Sequence, residues 1–387
     1  MTAGSRPRRI RLGMVGGGEG SFIGSAHRVA WRFDDRFEFV AGCLSSDPQR
    51  NRSSARALGL DPARTYDRFE EMAERESRAG NGIDAVVIVT PNHLHAPVAR
   101  AFLERGIDVV CDKPVAVSLE EADALQALAA RLGRLFVVTY TYAGYPAVRQ
   151  ARQMVAEGAV GDIRFVHVEY AQEWLARPVE REGQKQAVWR TDPRQAGPAG
   201  ALGDIGTHAY HLLTHVTGCA VEAVSAELRR FVPGRLLDDH VQAMLRLSGG
   251  ASGVLWASQI AAGEKNALRL RVYGSRGSLA FDQEHPDQLV HSTLDGDTRV
   301  LRRGSFGAGS VGAQATRLPA GHPEGYFEAL ARLYADFDEL WQARQEAREP
   351  CASAAATPQV ADGRAGLAFI DAVLRSHAAA QAWTRLR

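Results

Sequence analysis

The chain has 387 residues, of which 45% are hydrophobic, so it is long enough to form two or three domains with sizeable cores. Its 46 Lys and Arg residues balance 45 Asp and Glu residues, which excludes the cationic excess of a nucleic-acid binder. No stretch approaches the roughly twenty apolar residues of a membrane helix, so we expect no membrane partner.

Cysteine usage and the first residues predict a cytoplasmic protein. Four cysteines are scattered along the chain without a C-x-x-C pair, at Cys43, Cys111, Cys219 and Cys351. This spacing favours reduced thiols and excludes a zinc finger. The basic first residues are not followed by the apolar segment of a signal peptide.

Short apolar strands alternate with amphipathic helices in the first third of the chain. This succession is typical of a parallel sheet covered by helices on both faces. Strands are predicted at 11–15, 37–44, 85–90, 108–111 and 135–139. Helices are predicted at 25–33, near 53–58, at 95–105 and, after a capping box at Ser118, at 120–132. We therefore predict an α/β domain over residues 1–140.

The pattern changes after Tyr140, and we predict a second α/β domain over residues 141–387. Helices are expected at 147–157, 204–217, 324–344 and 363–383, with strands at 164–170, 241–247, 253–260, 268–272, 278–281 and 289–292. Leu268, Leu270 and Val272 alternate with polar neighbours, as in an antiparallel strand with one buried face. The second domain should thus contain a large, mostly antiparallel open sheet, whose free face is wet or covered by a partner.

A glycine cluster lies between the first predicted strand and the first predicted helix. Gly16, Gly18 and Gly24 stand where glycines let the backbone approach a pyrophosphate at a helix N-terminus. Five residues separate Gly18 from Gly24, whereas the usual fingerprint has two, so the loop carries an insertion. Its place at the first turn of a βαβ run predicts a dinucleotide site.

The end of the second strand leaves the choice between NAD and NADP open. Ser45 stands near the position of the acidic residue that usually holds the adenosine ribose, and Ser46 follows it. Without that carboxylate, Arg50 is available to pair with a 2′-phosphate. A register shifted by two residues would instead bring Asp47 to the ribose. Arg50 and its neighbour Arg52 could equally form an ordinary solvated helix face.

Four motifs occur in order along the chain. They are the glycine loop with Gly24-x-x-His27, then Thr90-Pro91-Asn92-x-x-His95, then Cys111-Asp112-Lys113-Pro114, then Gly203-Asp204-Ile205-Gly206-Thr207-His208. Together they resemble the Gfo/Idh/MocA family of oxidoreductases, which includes glucose-fructose oxidoreductase and inositol dehydrogenase. The similarity covers nearly the whole chain, and it departs from the family at Asp112, where glutamate is usual, and in the longer glycine loop.

The resemblance implies an NAD(P)-dependent oxidoreductase of sugars, cyclitols or sugar derivatives. It implies a Rossmann domain joined to a domain with a large antiparallel sheet, with the nicotinamide over the cleft between them, and a homodimer or homotetramer. Carried over by motif, the catalytic group is Lys113, Asp204 and His208. We assign Thr90, Asn92 and His95, with Lys113, to the cofactor site.

The expected chemistry is removal of a hydride from carbon and of a proton from oxygen. His208 has a near-neutral pKa unaided and is the predicted base. Asp204 lies one helical turn earlier, where it would orient the imidazole or bind a neighbouring hydroxyl. Lys113 follows a strand at the ligand-binding edge of the sheet, and its ammonium would favour the alkoxide.

Aromatic and basic residues of the second region are predicted on the substrate side. Tyr142, Trp189 and Arg190 could stack on sugar rings or donate to hydroxyls, with Lys113, Asp204 and His208 beside them. Trp189 could equally be a loop anchor.

Three other interpretations compete with a dehydrogenase. The first is a zinc site, because His208, His211 and His215 lie at helical spacing with Asp204. No Glu lies between His211 and His215 to act as its base, and we predict no metal. An NAD-dependent redox-cycling glycoside hydrolase would use the same residues without net cofactor turnover. A binding or regulatory protein is disfavoured by the intact Lys113, Asp204 and His208.

Overall fold

The first part of the chain forms a parallel sheet. A computed structural model describes residues 8–307 and 309–387. The strands are β1 (Ile10–Gly16), β2 (Phe37–Cys43), β3 (Ala85–Val89), β4 (Asp108–Cys111) and β5 (Phe136–Val138). They lie in the order β2-β1-β3-β4-β5, so the sheet has Rossmann topology. Each strand matches its prediction within one residue, because apolar runs of this length are stable when both faces are covered.

Helices connect these strands. They are α1 (Phe22–Ala30), α2 (Pro48–Ala57), α3 (Phe69–Arg78), α4 (His95–Leu103) and α5 (Leu119–Leu132). α2 begins earlier than predicted, because the Asp47 carboxylate accepts the backbone N–H of Arg50 at 2.7 Å and Pro48 fits the first turn. α3 was not predicted. Most of its residues are charged, and Met72 and Ala73 bury its short apolar face.

The segment that follows β5 is mostly helical and contributes one strand to the second sheet. It contains α6 (Pro146–Ala156), the strand β6 (Ile163–Ala171), α7 (Lys185–Arg190), α8 (Pro193–Ala196) and α9 (Thr207–Thr217). A π-helical turn, Leu202–Gly206, leads directly into α9. No helix was predicted between residues 170 and 204, but α7 and α8 form there. Both are short helices capped by side chains, with Gln184 and Asp192 as their N-caps.

The second sheet is large and mostly antiparallel, which confirms the predicted fold class. Its further strands are β7 (Val221–Arg229), β8 (His240–Leu247), β9 (Ser252–Ser258), β10 (Ala267–Gly274), β11 (Gly277–Asp282), β12 (Gln288–Thr293), β13 (Thr298–Arg302) and β14 (Thr384–Arg385). The order is β13-β12-β11-β10-β6-β9-β8-β7-β14, and β6 pairs with β9 in parallel. β7 and β13 were not predicted. In β7, Ala and Glu favour a helix locally, and pairing with β8 overrides that preference.

One face of this sheet packs on helices and the other is open. α9 contacts β6 and β10 on the covered face. Phe165, Met244, Tyr273 and Val300 are exposed on the other, where the register of the paired strands brings them to the same side. The homodimer or homotetramer that would cover this face stays a prediction.

The last helices return to both parts of the molecule. They are α10 (Val311–Ala315), α11 (Tyr326–Gln345), α12 (Ala352–Ala355) and α13 (Val360–Ala378). Leu330 and Phe337 of α11 share a core with Ile10 and Trp31 of the first part. The domain division at residue 140 stays a prediction, although in space α11 belongs to the first core. α13 ends earlier than predicted because the chain turns back into β14.

Among the described residues, no helix combines the length and the apolar character needed to cross a bilayer.

Candidate active site

A cleft of about 650 Å³ opens at the carboxyl edge of the parallel sheet. Its walls are the glycine loop, the ends of β2, β3 and β4, and helix α7. Of the residues predicted to bind cofactor, all but Gly24 line it: Gly16, Gly18, Ser45, Ser46, Arg50, Thr90, Asn92, His95 and Lys113. The residues of four separate motifs thus meet in one cleft.

Gly24 packs the helix against the loop instead of facing the cleft. α1 begins at Phe22, where the Ser21 hydroxyl accepts the backbone N–H of Gly24 at 3.1 Å, so Gly24 lies in the first helical turn. A Cβ on Gly24 would stand 2.4 Å from the Cα of Gly17. Gly17, which the sequence analysis left out, therefore supplies the close loop-to-helix approach together with Gly24, and the extra residues form the loop tip before Ser21.

The outer end of the cleft, beyond β2, presents Ser45, Ser46 and Arg50. The Asp47 carboxylate is engaged in capping α2, and Asp47 is not among the lining residues. The shifted register that would bring Asp47 to the ribose is therefore not the one observed. Asp67, a residue not predicted, lines this end and accepts a hydrogen bond from Asn51 at 3.0 Å.

The middle of the cleft contains buried polar atoms without partners. Thr90 Oγ1 and His93 Nδ1 are buried and make no hydrogen bond within residues 8–307 and 309–387. Buried polar groups normally find a partner, so a ligand with hydrogen-bonding groups fits here, as the dinucleotide does. Asn92 and His95 are instead tied to the protein: Asn92 donates to the Ala196 carbonyl at 2.9 Å, and the His95 ring nitrogens lie 2.6 and 2.8 Å from backbone carbonyls.

Lys113 and Asp204 form an ion pair at the inner end. The Lys113 ammonium donates to Asp204 Oδ1 at 2.9 Å and also to the Asp204 backbone carbonyl. Asp204 lies in the π-helical turn, where backbone hydrogen bonds follow a wider spacing than in an α-helix. This turn presents both the carboxylate and the carbonyl of Asp204 to the lysine.

The second carboxylate oxygen of Asp204 is also engaged. Gln259 Nε2 donates to Oδ2 at 2.8 Å, and Arg190 Nε lies 3.3 Å from the same atom. Burial alone would raise the pKa of Asp204, but the charges of Lys113 and Arg190 outweigh it and hold that pKa below its usual range. Asp204 is thus a fixed anion, and Gln259 is a site residue that no local sequence signal indicates.

The two roles predicted for Asp204, orienting the His208 imidazole or binding a neighbouring hydroxyl, stay predictions. No hydrogen bond joins the two side chains within the described ranges, and Asp204 contacts Lys113, Gln259 and Arg190 instead. The prediction assumed α-helical spacing, in which residues four apart share a face. In the structure Asp204 lies in the π-helical turn, directly before the α-helix that carries His208.

His208 lies among aromatic rings beside the ion pair. Its ring stands edge-on to Tyr142 at 4.9 Å and to Tyr140 at 5.7 Å between centroids. Its Nδ1 is buried and has no partner among the described residues. Burial, and then the nearby Lys113 ammonium, lower the pKa of His208 well below 6.5. The near-neutral pKa expected from the sequence is therefore not the one that this environment gives.

Tyr142, like His208, is not among the residues that line the cleft. Tyr142 is buried and its hydroxyl contacts that of Tyr170, which donates to Asn266 Oδ1 at 2.7 Å. Gln172 donates to the same Asn266 oxygen at 2.7 Å. Tyr170, Gln172 and Asn266 were not predicted, because they come from β6 and from the loop before β10, far apart in sequence.

Trp189 and Arg190 lie on α7, at the wall of the cleft opposite the parallel sheet. The Arg190 guanidinium stacks 4.2 Å from the centre of the Trp189 ring. Both also contact Gln186, whose side-chain oxygen accepts from Arg190 at 2.6 Å. α7 thus presents an aromatic face and a fixed cation to the cleft.

The other histidines of α9 pack in the core. His211 stacks on Tyr140 at 4.1 Å, and His215 Nδ1 lies 3.2 Å from Arg152 Nη1. In residues 8–307 and 309–387, no group of three or more His, Cys, Asp or Glu side chains is arranged to hold a metal ion.

A Rossmann sheet, a glycine loop at its edge and a cleft that ends at a buried Lys-Asp pair define an NAD(P)-dependent oxidoreductase. The oxidoreductase-family model with an NAD-binding Rossmann fold matches residues 10–140, and the GFO/IDH/MocA C-terminal domain model matches residues 148–280. The chain belongs to the Gfo/Idh/MocA family, as the four motifs indicated.

Similar proteins match along most of the chain or nearly all of it. An uncharacterized oxidoreductase of Bacillus subtilis (strain 168) is 31% identical over 384 residues, which are 98% of this chain and 97% of that protein. An inositol dehydrogenase homolog from Azotobacter vinelandii, crystallised with NAD+, is 39% identical with a TM-score of 0.92, covering 98% of this chain and 97% of that one. A levoglucosan dehydrogenase of Pseudarthrobacter phenanthrenivorans is 30% identical over 312 residues, 73% of this chain and 76% of that protein.

Proposed function

We propose that the chain is a dehydrogenase that oxidises a secondary hydroxyl of a sugar, a cyclitol or a related cyclic polyol. When bound, the nicotinamide supplies the acceptor for the hydride. The observation that carries the proposal is the Lys113–Asp204 pair beside His208 at the inner end of the cleft. Related proteins support the substrate class, since the Azotobacter homolog has been crystallised with NADH and myo-inositol, and a levoglucosan dehydrogenase with NADH and levoglucosan.

In this proposal Lys113 binds the reacting oxygen. An ammonium has three donors, and two of them are directed to the carbonyl and the carboxylate of Asp204. The third is available for a substrate hydroxyl. A cation at this point stabilises the negative charge that develops on oxygen as the proton leaves.

His208 accepts the proton of that hydroxyl. Burial and the Lys113 charge keep its imidazole neutral at physiological pH, which is the form that a base requires. In the reverse direction the same ring returns the proton to the carbonyl oxygen. Asp204 does not exchange protons, because its pKa is held low, and it fixes Lys113 in position.

The side chains near His208 are suited to the hydroxyl groups of a polyol. Phenol and amide groups predominate there, from Tyr142, Tyr170, Asn266 and Gln172. Such groups donate to and accept from hydroxyls.

We infer that the cleft accepts both NAD and NADP. Ser45 and Ser46 place no carboxylate against a 2′-phosphate, and the Arg50 guanidinium has no hydrogen bond or ion pair to another side chain in the described ranges. An unpaired arginine is a suitable partner for that phosphate. Asp67 at the same end can accept from the ribose hydroxyls of NAD.

The first test is an absorbance assay of nicotinamide reduction with NAD and NADP offered separately. The substrate panel holds aldoses, inositols, glycosides and sugar acids. Reduction with a cyclic polyol supports the proposal. Release of sugar from a glycoside without net reduction would support the redox-cycling hydrolase instead, and binding of cofactor with no turnover of any kind would point to a regulatory protein.

His208→Asn tests the assignment of the base. We expect turnover to be lost while the Kd for NADH stays within about twofold, because the ring moves a proton and lies behind the cofactor cleft. The matched control is His215→Asn on the same helix, which should keep turnover. Unchanged turnover in His208→Asn would remove this residue from the mechanism.

A further inference from the structure

The cationic side chains of the cleft are not equivalent. Lys113 and Arg190 both contact Asp204, and Arg68 Nε lies 3.5 Å from a carboxylate oxygen of Glu70. The remaining cations that line the cleft are Arg50 and Lys185. Neither of these two side chains has a hydrogen bond or an ion pair to another side chain in the part of the chain that the structure describes.

Lys185 approaches the glycine loop from the opposite wall. It is the first residue of α7, and its Nζ lies 3.8 Å from the point where a Cβ on Gly20 would stand. Gly20 belongs to the extra residues of the loop and has a left-handed φ of 76°. The insertion therefore extends the loop tip towards an ammonium group of the second domain.

The glycine loop carries a negative charge, which an ammonium group can compensate. Glu19, which lines the same part of the cleft, is the charged side chain of the segment Gly16–Ser21. A carboxylate there opposes a diphosphate, and the backbone N–H groups of a glycine loop supply only partial positive charge. An unpaired ammonium facing the loop offsets that repulsion with charge-assisted hydrogen bonds.

We propose that Lys185 binds the cofactor diphosphate from the second-domain wall, so that the dinucleotide is held between the glycine loop and α7. This inference rests on the proposed function, since it assumes a dinucleotide in the cleft. It adds a binding residue outside the Rossmann domain. α7 also carries Arg190, so the bound diphosphate would fix the helix that contacts Asp204.

The test measures binding with ligands that do or do not carry a diphosphate. Wild type, Lys185→Gln and Lys185→Arg are titrated with NADH, ADP-ribose and adenosine by calorimetry. Lys265→Gln is the matched control, because Lys265 is an exposed lysine paired with Glu173 away from the cleft. We expect Lys185→Gln to weaken NADH and ADP-ribose about tenfold and to leave adenosine within about twofold. Lys185→Arg should restore most of the affinity, and the loss should shrink at high salt.

Two results would overturn the inference. One is ADP-ribose binding to Lys185→Gln with wild-type affinity. The other is an equal loss for adenosine, which would mean that the substitution disturbs the cleft as a whole, as an altered melting temperature would also reveal. If wild type binds neither NADH nor ADP-ribose, the proposed function itself fails, and that outcome is distinct from both.

Discussion

The two ends of the cleft hold their charges in different ways. At the inner end, the side chains of Lys113, Asp204 and Arg190 are 14%, 19% and 24% exposed, and both cations contact Asp204. At the outer end, Arg50 and Ser46 are exposed, and the Arg50 guanidinium contacts no other side chain of the described residues.

This difference predicts which end of the cleft is more sensitive to substitution. A largely buried ion pair has lost water, so removing one partner leaves an uncompensated charge and a large penalty. An exposed cation stays hydrated, and its loss changes affinity only modestly. We therefore expect the inner end to govern catalysis and the outer end to adjust cofactor affinity.

The largest expected effect comes from breaking the inner cluster. Asp204→Asn keeps the shape of the side chain but leaves Lys113 and Arg190 without their counter-ion. We expect kcat/KM to fall by about 10³-fold, which corresponds to roughly 4 kcal/mol. Steady-state kinetics with the substrate found in the panel measures this. Asp123→Asn, at an exposed carboxylate paired with Arg364, is the control, and a loss below about tenfold in Asp204→Asn would contradict the comparison.

The second prediction concerns the pH dependence of the free energy of unfolding, which we expect from the histidines of α9. Burial lowers the pKa of His208, His211 and His215, that of His211 to about 3. In the unfolded chain these rings take up protons near pH 6.5, while in the native protein they stay neutral. The unfolded state therefore binds more protons below that pH, and the free energy of unfolding falls as pH decreases, by about 1.4 kcal/mol per pH unit for each ring.

Urea unfolding at neutral pH and at about pH 5 measures this slope. His211→Phe keeps an aromatic ring stacked on Tyr140 but removes one of the three titratable imidazoles. The free energy of unfolding of this variant should therefore change with pH less steeply, by about 1.4 kcal/mol per pH unit. Equal slopes in wild type and variant would show that His211 does not contribute.

The third prediction concerns Gln259, which we infer to be a positioning residue for Asp204. Gln259 is 2% exposed and donates to Asp204 Oδ2. Gln259→Leu should lower kcat by about tenfold with little change in KM, because one of the bonds that hold Asp204 is lost. Gln259→Glu should lose more at neutral pH, where two carboxylates face each other, and recover partly at acid pH. A loss in Gln259→Glu that does not vary with pH would indicate a merely structural role.

The smallest expected effect lies at the outer end. Arg50→Gln should raise the Kd for NADPH about threefold and leave that for NADH unchanged, because only NADPH carries the 2′-phosphate. Arg56→Gln is the control, since Arg56 lies on the same helix, is exposed and does not line the cleft. Equal changes for the two cofactors would mean that Arg50 does not recognise the 2′-phosphate.

Local patterns determined much of this fold. The apolar runs gave the strands of the parallel sheet within a residue, and the glycine cluster and the Lys113 motif gave the place of the cleft. These predictions succeed because strand burial and loop geometry depend on residues that are close in sequence. The misses, α3, α7 and β7, have weak or contrary local preferences and are stabilised by contacts made elsewhere.

Sequence motifs were sufficient to predict the family, the fold class and the cofactor class, and they indicated the residues of a candidate active site. Only the tertiary structure decided which of them touch. Lys113 and Gln259 reach Asp204 across 91 and 55 residues of chain, and Lys185 reaches the glycine loop across the cleft. The π-helical turn before α9 presents the carboxylate and the carbonyl of Asp204 to Lys113. Such contacts depend on the path of the whole backbone, which periodicity within one element does not contain.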